Sequence, residues 1–365
     1  MSDQGTVKLE GLHKRFGDIH AVDGVDLEID GGEFFTILGP SGCGKTTTLR
    51  CIAGLETPTE GSIHISGTDV THLPANKRET SIVFQRWALF PHMDVAGNIG
   101  FGLEMDGVPK DEREERIAEA LELVEMSGYE DRKPTELSGG QKQRIAMARS
   151  IVQNPDVLLL DEPLASLDRA LRERLQVELK NIQEELDITF IHVTHDQEEA
   201  LTMSDRIAVI NDGHIEQVGT VTELYEHPES RFVAEFVGET NLLEGEIEQR
   251  DGTLRIDGVI DFQLTAADHE RVPPNTQWCV FTIRPESLRI AQRDGIESDN
   301  HWDGTVINAI YKGSNTLYEV NVGDRSLRVL QQRQKGTSTF DEDDAVSVGF
   351  DADEGTVISD LEEQP

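Results

Sequence analysis

Residues 39–46 read Gly39-Pro40-Ser41-Gly42-Cys43-Gly44-Lys45-Thr46, with Thr47 following. Glycines at this spacing take backbone conformations closed to other residues. They turn N–H groups toward the β- and γ-phosphates of a nucleotide at a helix N-terminus. Lys45 would reach the same phosphates, and Thr46 would ligate Mg2+. Further on, Val157-Leu158-Leu159-Leu160 runs into Asp161-Glu162. The apolar run buries a strand, and two carboxylates emerge at its C-terminal edge, where ligands sit in open α/β sheets. Asp161 would hold Mg2+ directly or through water, and Glu162 would orient or deprotonate an attacking water. A second glycine-rich loop, Leu137-Ser138-Gly139-Gly140-Gln141, opens a helix at Ser138. Ser138 can cap that helix, whose N-terminus carries roughly half a positive charge, so its N–H groups are a second place to meet a phosphate.

These groups need elements to hold them. Apolar runs predict strands at residues 7–15, 22–29, 33–38, 157–160, 189–193 and 206–210. Helices are predicted at 45–53, 111–126, 139–152 and 197–203, while Leu167, Leu171, Leu175, Leu179, Ile182 and Leu186 repeat at helical spacing. Asn211-Asp212-Gly213 signals a hairpin turn. Strands alternating with helices imply an α/β sheet with a parallel centre. After about Glu239 short strands separated by Gly, Asp and Asn take over, as at 243–247, 278–283, 305–310 and 317–322. The chain therefore divides into residues 1–238, a nucleotide-binding domain, and 239–365, a small β-rich domain. The acidic tail from Asp351 is expected to fray.

The 365 residues suffice for two domains, and no 18-residue apolar run offers a transmembrane helix. Residues 1–10 show no basic segment followed by an apolar one, so no secretory signal is visible. Cys43, Cys51 and Cys279 lack metal spacing and fit a reducing cytosol. The 70 acidic and 33 basic residues give a net charge of -37. Such charge can attract a cationic substrate, mark disorder or keep a protein hydrated in concentrated salt. The acids are spread along the chain and the apolar periodicity is clear, which favours adaptation to a salt-rich, halophilic cytoplasm. Nucleic-acid binding is disfavoured, because phosphate contacts need a basic surface.

The order GPSGCGKTT, Gln85, LSGGQ, LLLLDEP, SLD and His195 resembles the ATPase subunit of ABC transporters, from residue 7 to about 235. The resemblance implies a P-loop NTPase nucleotide-binding domain of the ABC type with a helical subdomain. Phe16 then matches the aromatic that stacks on adenine, against the alternative of a core Phe. Gln85 matches the residue that senses Mg2+ and the attacking water on a loop that also touches membrane subunits. Ser138, Gly139, Gly140 and Gln141 match the signature loop, which closes over the γ-phosphate held by the opposite subunit. Asp168 matches the residue coupling the two sites. His195 matches the histidine that contacts the γ-phosphate and holds Glu162, while His192 is read as structural. An ATP-sandwiched homodimer would be the active form.

The apolar stretch 86–102 admits two readings, a packed turn or the groove that receives a cytoplasmic helix of a membrane partner; the family's use of this region favours the second. Arg86-Trp87 departs from the family's usual smaller polar residue and aromatic, which alters the groove rather than the ATP site. The C-terminal region, with Arg284-Pro285-Glu286, resembles the OB-like regulatory domain of importer ATPases. Residues 194–241 look most like subunits of spermidine/putrescine importers, with sugars, sulfate and iron as the alternative solutes. The implied partners are two membrane permease subunits and an extracellular solute-binding protein, with the chain peripheral on the cytoplasmic face of the membrane. A soluble ABC ATPase is disfavoured by the absence of a second cassette or zinc cysteines. A binding module with an inactive site is disfavoured by intact Lys45, Asp161, Glu162 and His195.

Overall fold

The computed structural model describes residues 3–85, 87–165, 167–250, 253–258, 262–263 and 278–358. Two compact units divide the chain, Met1–Val221 and Thr222–Pro365. In chain order the first contains β1 (Val7–Phe16), β2 (Ile19–Ile29), β3 (Phe34–Leu38), α1 (Lys45–Ile52), β4 (Glu60–Ile65), β5 (Thr68–Asp69) and β6 (Thr80–Val83). It continues with α2 (Val95–Met105), α3 (Lys110–Leu123), α4 (Gly139–Ile151), β7 (Val157–Asp161), α5 (Arg169–Leu186), β8 (Thr189–Thr194), α6 (Gln197–Met203), β9 (Arg206–Asn211) and β10 (His214–Thr220).

The central sheet has the order β10-β9-β3-β8-β7-β6. Its strands from β9 to β6 are parallel, and β10 returns antiparallel through the expected hairpin at Asp212-Gly213. Parallel strands are covered on both faces, which is why β3 and β7 read as unbroken apolar runs and are wholly buried. Leu158 and Leu160 face a cluster with Val95, Ile99, Ile145, Leu175 and Leu179 from the helices. Val157 and Leu159 face the other way, toward Leu49 and Ile52 of α1 and the antiparallel sheet β2-β1-β4-β5.

Strands β4, β5 and β6 and helix α2 escape the sequence pattern. Strand β6 is short and only partly buried along most of its length. Helix α2 begins inside the stretch 86–102 and carries Gly97, Gly100 and Gly102, each costing about 1 kcal/mol against alanine. The same glycines permit close packing: a Cβ at Gly100 would press to 2.7 Å on Ile117 of α3. Asp94 caps α2 by accepting from the Gly97 N–H at 2.7 Å.

The second unit contains α7 (Val221–Glu226), α8 (Arg231–Val237), β11 (Asn241–Arg250), β12 (Thr253–Gly258), β13 (Phe262–Gln263), β14 (Trp278–Ile283), β15 (Arg289–Gln292) and β16 (Asn300–Tyr311). It ends with β17 (Asn315–Val322), β18 (Arg325–Gln332), β19 (Ala345–Phe350) and β20 (Thr356–Ile358). Two five-stranded antiparallel sheets, β13-β12-β11-β14-β20 and β15-β19-β16-β17-β18, close over Phe281, Tyr318, Val329 and Phe350. The expected boundary at 238/239 falls after α7 and α8, whereas the compact units part before them. The reason is Arg284, whose buried guanidinium donates to the carbonyls of Tyr225, Ala234, Gly238 and Glu239 at 2.8–3.2 Å. Removing it strands acceptors at about 1–3 kcal/mol each. Arg284→Ala should therefore melt the second unit at lower temperature and expose the chain near residue 238 to proteolysis; an unchanged melting curve would count against this tie. The tail from Asp351 does not fray over 351–358. There β20 pairs with β14, and Arg289 bonds Asp351 and Glu354, each at 2.7 Å. The rest of the expected fraying, 359–365, lies outside the described residues, as do Arg86 and Ser166.

Candidate functional site

Four parallel strands deliver their C-terminal ends to one edge of the central sheet. Register places Leu38 beside Thr194, Val193 beside Asp161, and Leu160 beside Val83. The segments that follow these strands are the phosphate loop, His195, Asp161-Glu162 and Gln85, so the predicted chemistry converges because the strands do.

Loop 39–46 folds with Gly44 as the N-cap of α1 at φ 105. A side chain there would meet the Ala21 carbonyl, so both the conformation and the space require glycine. Gly42, at φ 87, has open space where its Cβ would be. Lys45 is buried, and its ammonium donates to the Gly39 and Pro40 carbonyls at 2.8 and 2.7 Å. It bridges the loop it must serve. Ser41 is exposed and Thr47 half-buried. Cys43 is buried with Sγ 3.9 Å from the Lys45 ammonium, and burial pushes its thiol up from the ordinary value.

The Thr46 hydroxyl donates to Asp161 Oδ1 at 3.0 Å. Asp161 is almost fully buried; burial raises its carboxyl above the usual range, against the lowering effects of the Thr46 bond and the Arg50 and Lys45 charges. Two hard oxygen donors thus stand side by side next to a phosphate loop, a set that suits Mg2+. Glu162 takes a left-handed conformation, φ 44, that non-glycine residues rarely adopt. Its N–H donates to the Val193 carbonyl at 3.0 Å, fixing the turn. Gln85 Nε2 donates to Glu162 Oε2 at 3.2 Å, and His195 Nδ1 lies 3.3 Å from Glu162 Oε1. An exposed imidazole and an exposed amide therefore aim the carboxylate from two sides.

The other predicted residues sit elsewhere. Phe16, at the end of β1, is 45% exposed rather than in the core, with the Lys14 ammonium 4.7 Å above its ring. Ser138 caps α4 by accepting from the Gln141 N–H at 3.4 Å, and the Gln141 side chain accepts from the Ser138 N–H at 2.9 Å. This capping box fixes the loop of Gly139 and Gly140 at the helix start. Among the described residues no hydrogen bond or ion pair joins this loop to Lys45, Thr46, Asp161 or Glu162. Asp168 caps α5 by accepting from the Leu171 N–H at 3.1 Å. His192 is structural: it is fully buried, with Thr36 Oγ1 at 3.3 Å and Glu199 Oε2 at 3.5 Å.

Sequence reading missed Arg172. It donates to Asp196 Oδ2 at 2.9 Å and to the Leu167 carbonyl at 3.3 Å, so it ties the Asp168 loop to the residue after His195. An arginine four residues past a helix N-cap reads as an ordinary solvated charge, and only the fold reveals its acceptors.

The ABC transporter family model matches residues 22–165, and the TOBE domain model matches residues 281–358. The chain is 49% identical over 350 residues to the spermidine/putrescine import ATP-binding protein PotA of Rubrobacter xylanophilus, covering 95% of this chain and 92% of that protein. It is 50% identical to the protein of the same name from Thermobifida fusca, covering 88% and 83%. Among solved structures, the dimeric ATP-binding cassette MJ0796 in a post-hydrolysis state bound to ADP and Pi shares 34% identity at a TM-score of 0.53, over 59% of this chain and 98% of that one. The cbiO1 component of the cbiONQ transporter from Clostridium perfringens shares 31% identity at a TM-score of 0.57, over 60% and 90%.

Proposed function

The chain belongs to the ABC transporter family of ATP-binding subunits, and from that premise we propose that it hydrolyses ATP as a homodimer to drive polyamine import through two membrane permease subunits. The observation that carries the enzymatic reading is the convergence on Glu162 of Gln85 at 3.2 Å and His195 at 3.3 Å, beside the phosphate loop. Phosphoryl transfer is chiefly positioning and charge stabilisation. Lys45 and the loop N–H groups bind the β- and γ-phosphates, Phe16 stacks on adenine, and Glu162 orients a water or takes its proton. His195 holds Glu162 and meets the γ-phosphate. Thr46, Asp161 and Gln85 would hold Mg2+, which supplies neutralisation of the phosphate charge when bound. The signature loop, which among the described residues has no hydrogen bond or ion pair to its own phosphate loop, serves the opposite subunit: Ser138, Gly139, Gly140 and Gln141 present helix N–H groups and a dipole to the γ-phosphate across the dimer. Asp168, beside that loop, couples the two sites.

Support for the importer class is the likeness to import ATP-binding proteins over nearly the whole chain, the β-rich unit included. Among the described residues no helix is long and apolar enough to cross a membrane, and in this reading the permease subunits provide the path. The groove lined by Trp87, Leu89, Pro91 and Pro134 suits a cytoplasmic helix of such a partner, and in this reading the chain sits on the cytoplasmic face of the membrane. An extracellular solute-binding protein would deliver the solute, and the second unit, residues 222–365, would regulate turnover. The test is uptake of radiolabelled spermidine by cells with and without this gene, with maltose in parallel. Loss of spermidine uptake alone is expected. Loss of maltose uptake alone would move the substrate to sugars, and no change in either would reject both and send the search to sulfate and iron.

A further inference from the structure

Trp87 stands at two places at once. Its ring helps line the groove of about 210 Å³ with Leu89, Pro91, Pro134, Thr135 and Lys142. The same ring lies against the signature loop: a Cβ on Gly139 would sit 3.5 Å from Trp87 Cη2, ordinary van der Waals contact. Its indole N–H is buried and finds no acceptor among the described residues, so packing rather than a hydrogen bond sets the ring.

The backbone under the ring is held differently. Trp87 and Ala88 are consecutive non-glycine residues in the left-handed region, at φ 56 and 44. Such a pair persists only where its surroundings over-determine it. Here Arg149 does so, donating to the Trp87 carbonyl at 2.9 Å and the Ala88 carbonyl at 2.8 Å, with its guanidinium 5.8 Å from the Phe90 ring centroid. Arg149 lies on α4, the helix that Ser138 opens. Lys142, one turn into α4, has its ammonium 5.9 Å from the Trp87 ring. The groove wall is thus fastened to the signature helix at its start, its first turns and its last turn.

We propose that Trp87, locked to α4 by Arg149, is a positioning residue for the signature loop, so that what fills the groove and where Ser138 and Gly139 stand are one movement. The proposal extends the influence of this position from the groove, where the sequence reading confined it, to the signature loop. The inference rests on the proposed ATP-sandwiched dimer, and its test separates the two.

Glu162→Gln protein is mixed with Mg-ATP at high salt, and both dimer formation and tryptophan emission are recorded, alongside Glu162→Gln/Trp87→Phe and Glu162→Gln/Arg149→Ala. ATP is expected to shift emission in the first protein. The shift should vanish in the Trp87→Phe protein although the dimer forms, and shrink when Arg149 is lost. A dimer with unchanged emission, or a shift that survives without Trp87, overturns the inference alone; no dimer at all overturns the sandwich reading and this inference with it. In steady state, Trp87→Ala should lower kcat about tenfold with KM for ATP nearly unchanged, and Trp87→Phe should restore most of it. A KM effect of similar size, or kcat unchanged in Trp87→Ala, would exclude the positioning role.

Discussion

Glu162→Gln is expected to stop turnover while leaving ATP binding and ATP-driven dimerisation intact. The amide is nearly isosteric, so the left-handed turn and its bond to the Val193 carbonyl survive. What is lost is an oxygen that can hold a proton or fully polarise a water. General-base contributions of this kind span about 10²–10⁴-fold, and phosphate release should fall within or beyond that range. Lys45 and Thr46 are untouched, so nucleotide affinity should hold, and the trapped dimer should elute as such on size exclusion. Phosphate release at the wild-type rate would remove Glu162 from its role. His195→Ala, which withdraws the imidazole 3.3 Å from Glu162 Oε1, should follow the same direction.

The second large effect concerns salt. Each subunit carries a net charge of -37, and in the proposed dimer two meet face to face around the nucleotide. The Debye length is about 10 Å at 0.1 M and about 3 Å at 1 M, so molar salt removes most of the repulsion between such surfaces. The ATP dimer of the Glu162→Gln protein should therefore form near 2 M KCl and weaken by at least about tenfold near 50 mM, because charges across a dimer face lie within one low-salt Debye length. Equal dimerisation at both ionic strengths would discard adaptation to a salt-rich cytoplasm.

The phosphate loop, the Asp161-Glu162 strand end and the Ser138 loop were legible because phosphate chemistry demands those residues at those spacings. Strands β3 and β7 were legible because double-sided burial leaves an apolar run. Helix α2 was not, since Gly100 and Gly102, which admit Ile117 and Gln153 close to its backbone, depress its local propensity. The division before α7 was hidden for a related reason. It depends on Arg284 reaching main-chain carbonyls of residues 225–239, and a main-chain carbonyl carries no sequence label. Arg149 and Arg172 escaped likewise: Arg149 bonds the distant carbonyls of Trp87 and Ala88, and Arg172 bonds the Leu167 carbonyl and the Asp196 carboxylate.

The phosphate loop has its back against other chain. Gly44 leaves no room beside the Ala21 carbonyl, the Gly213 N–H holds the Cys43 carbonyl at 3.1 Å, and the Asp23 N–H in turn holds the Gly213 carbonyl at 3.0 Å. A loop fixed on that side has given up its conformational entropy during folding, before any nucleotide arrives. Ordering costs at binding then fall on the ligand and on the helical layer that carries Ser138. Affinity for ATP is thereby set by a finished mould, and in the proposed dimer the free energy of closure is left to the helical layer that carries Ser138.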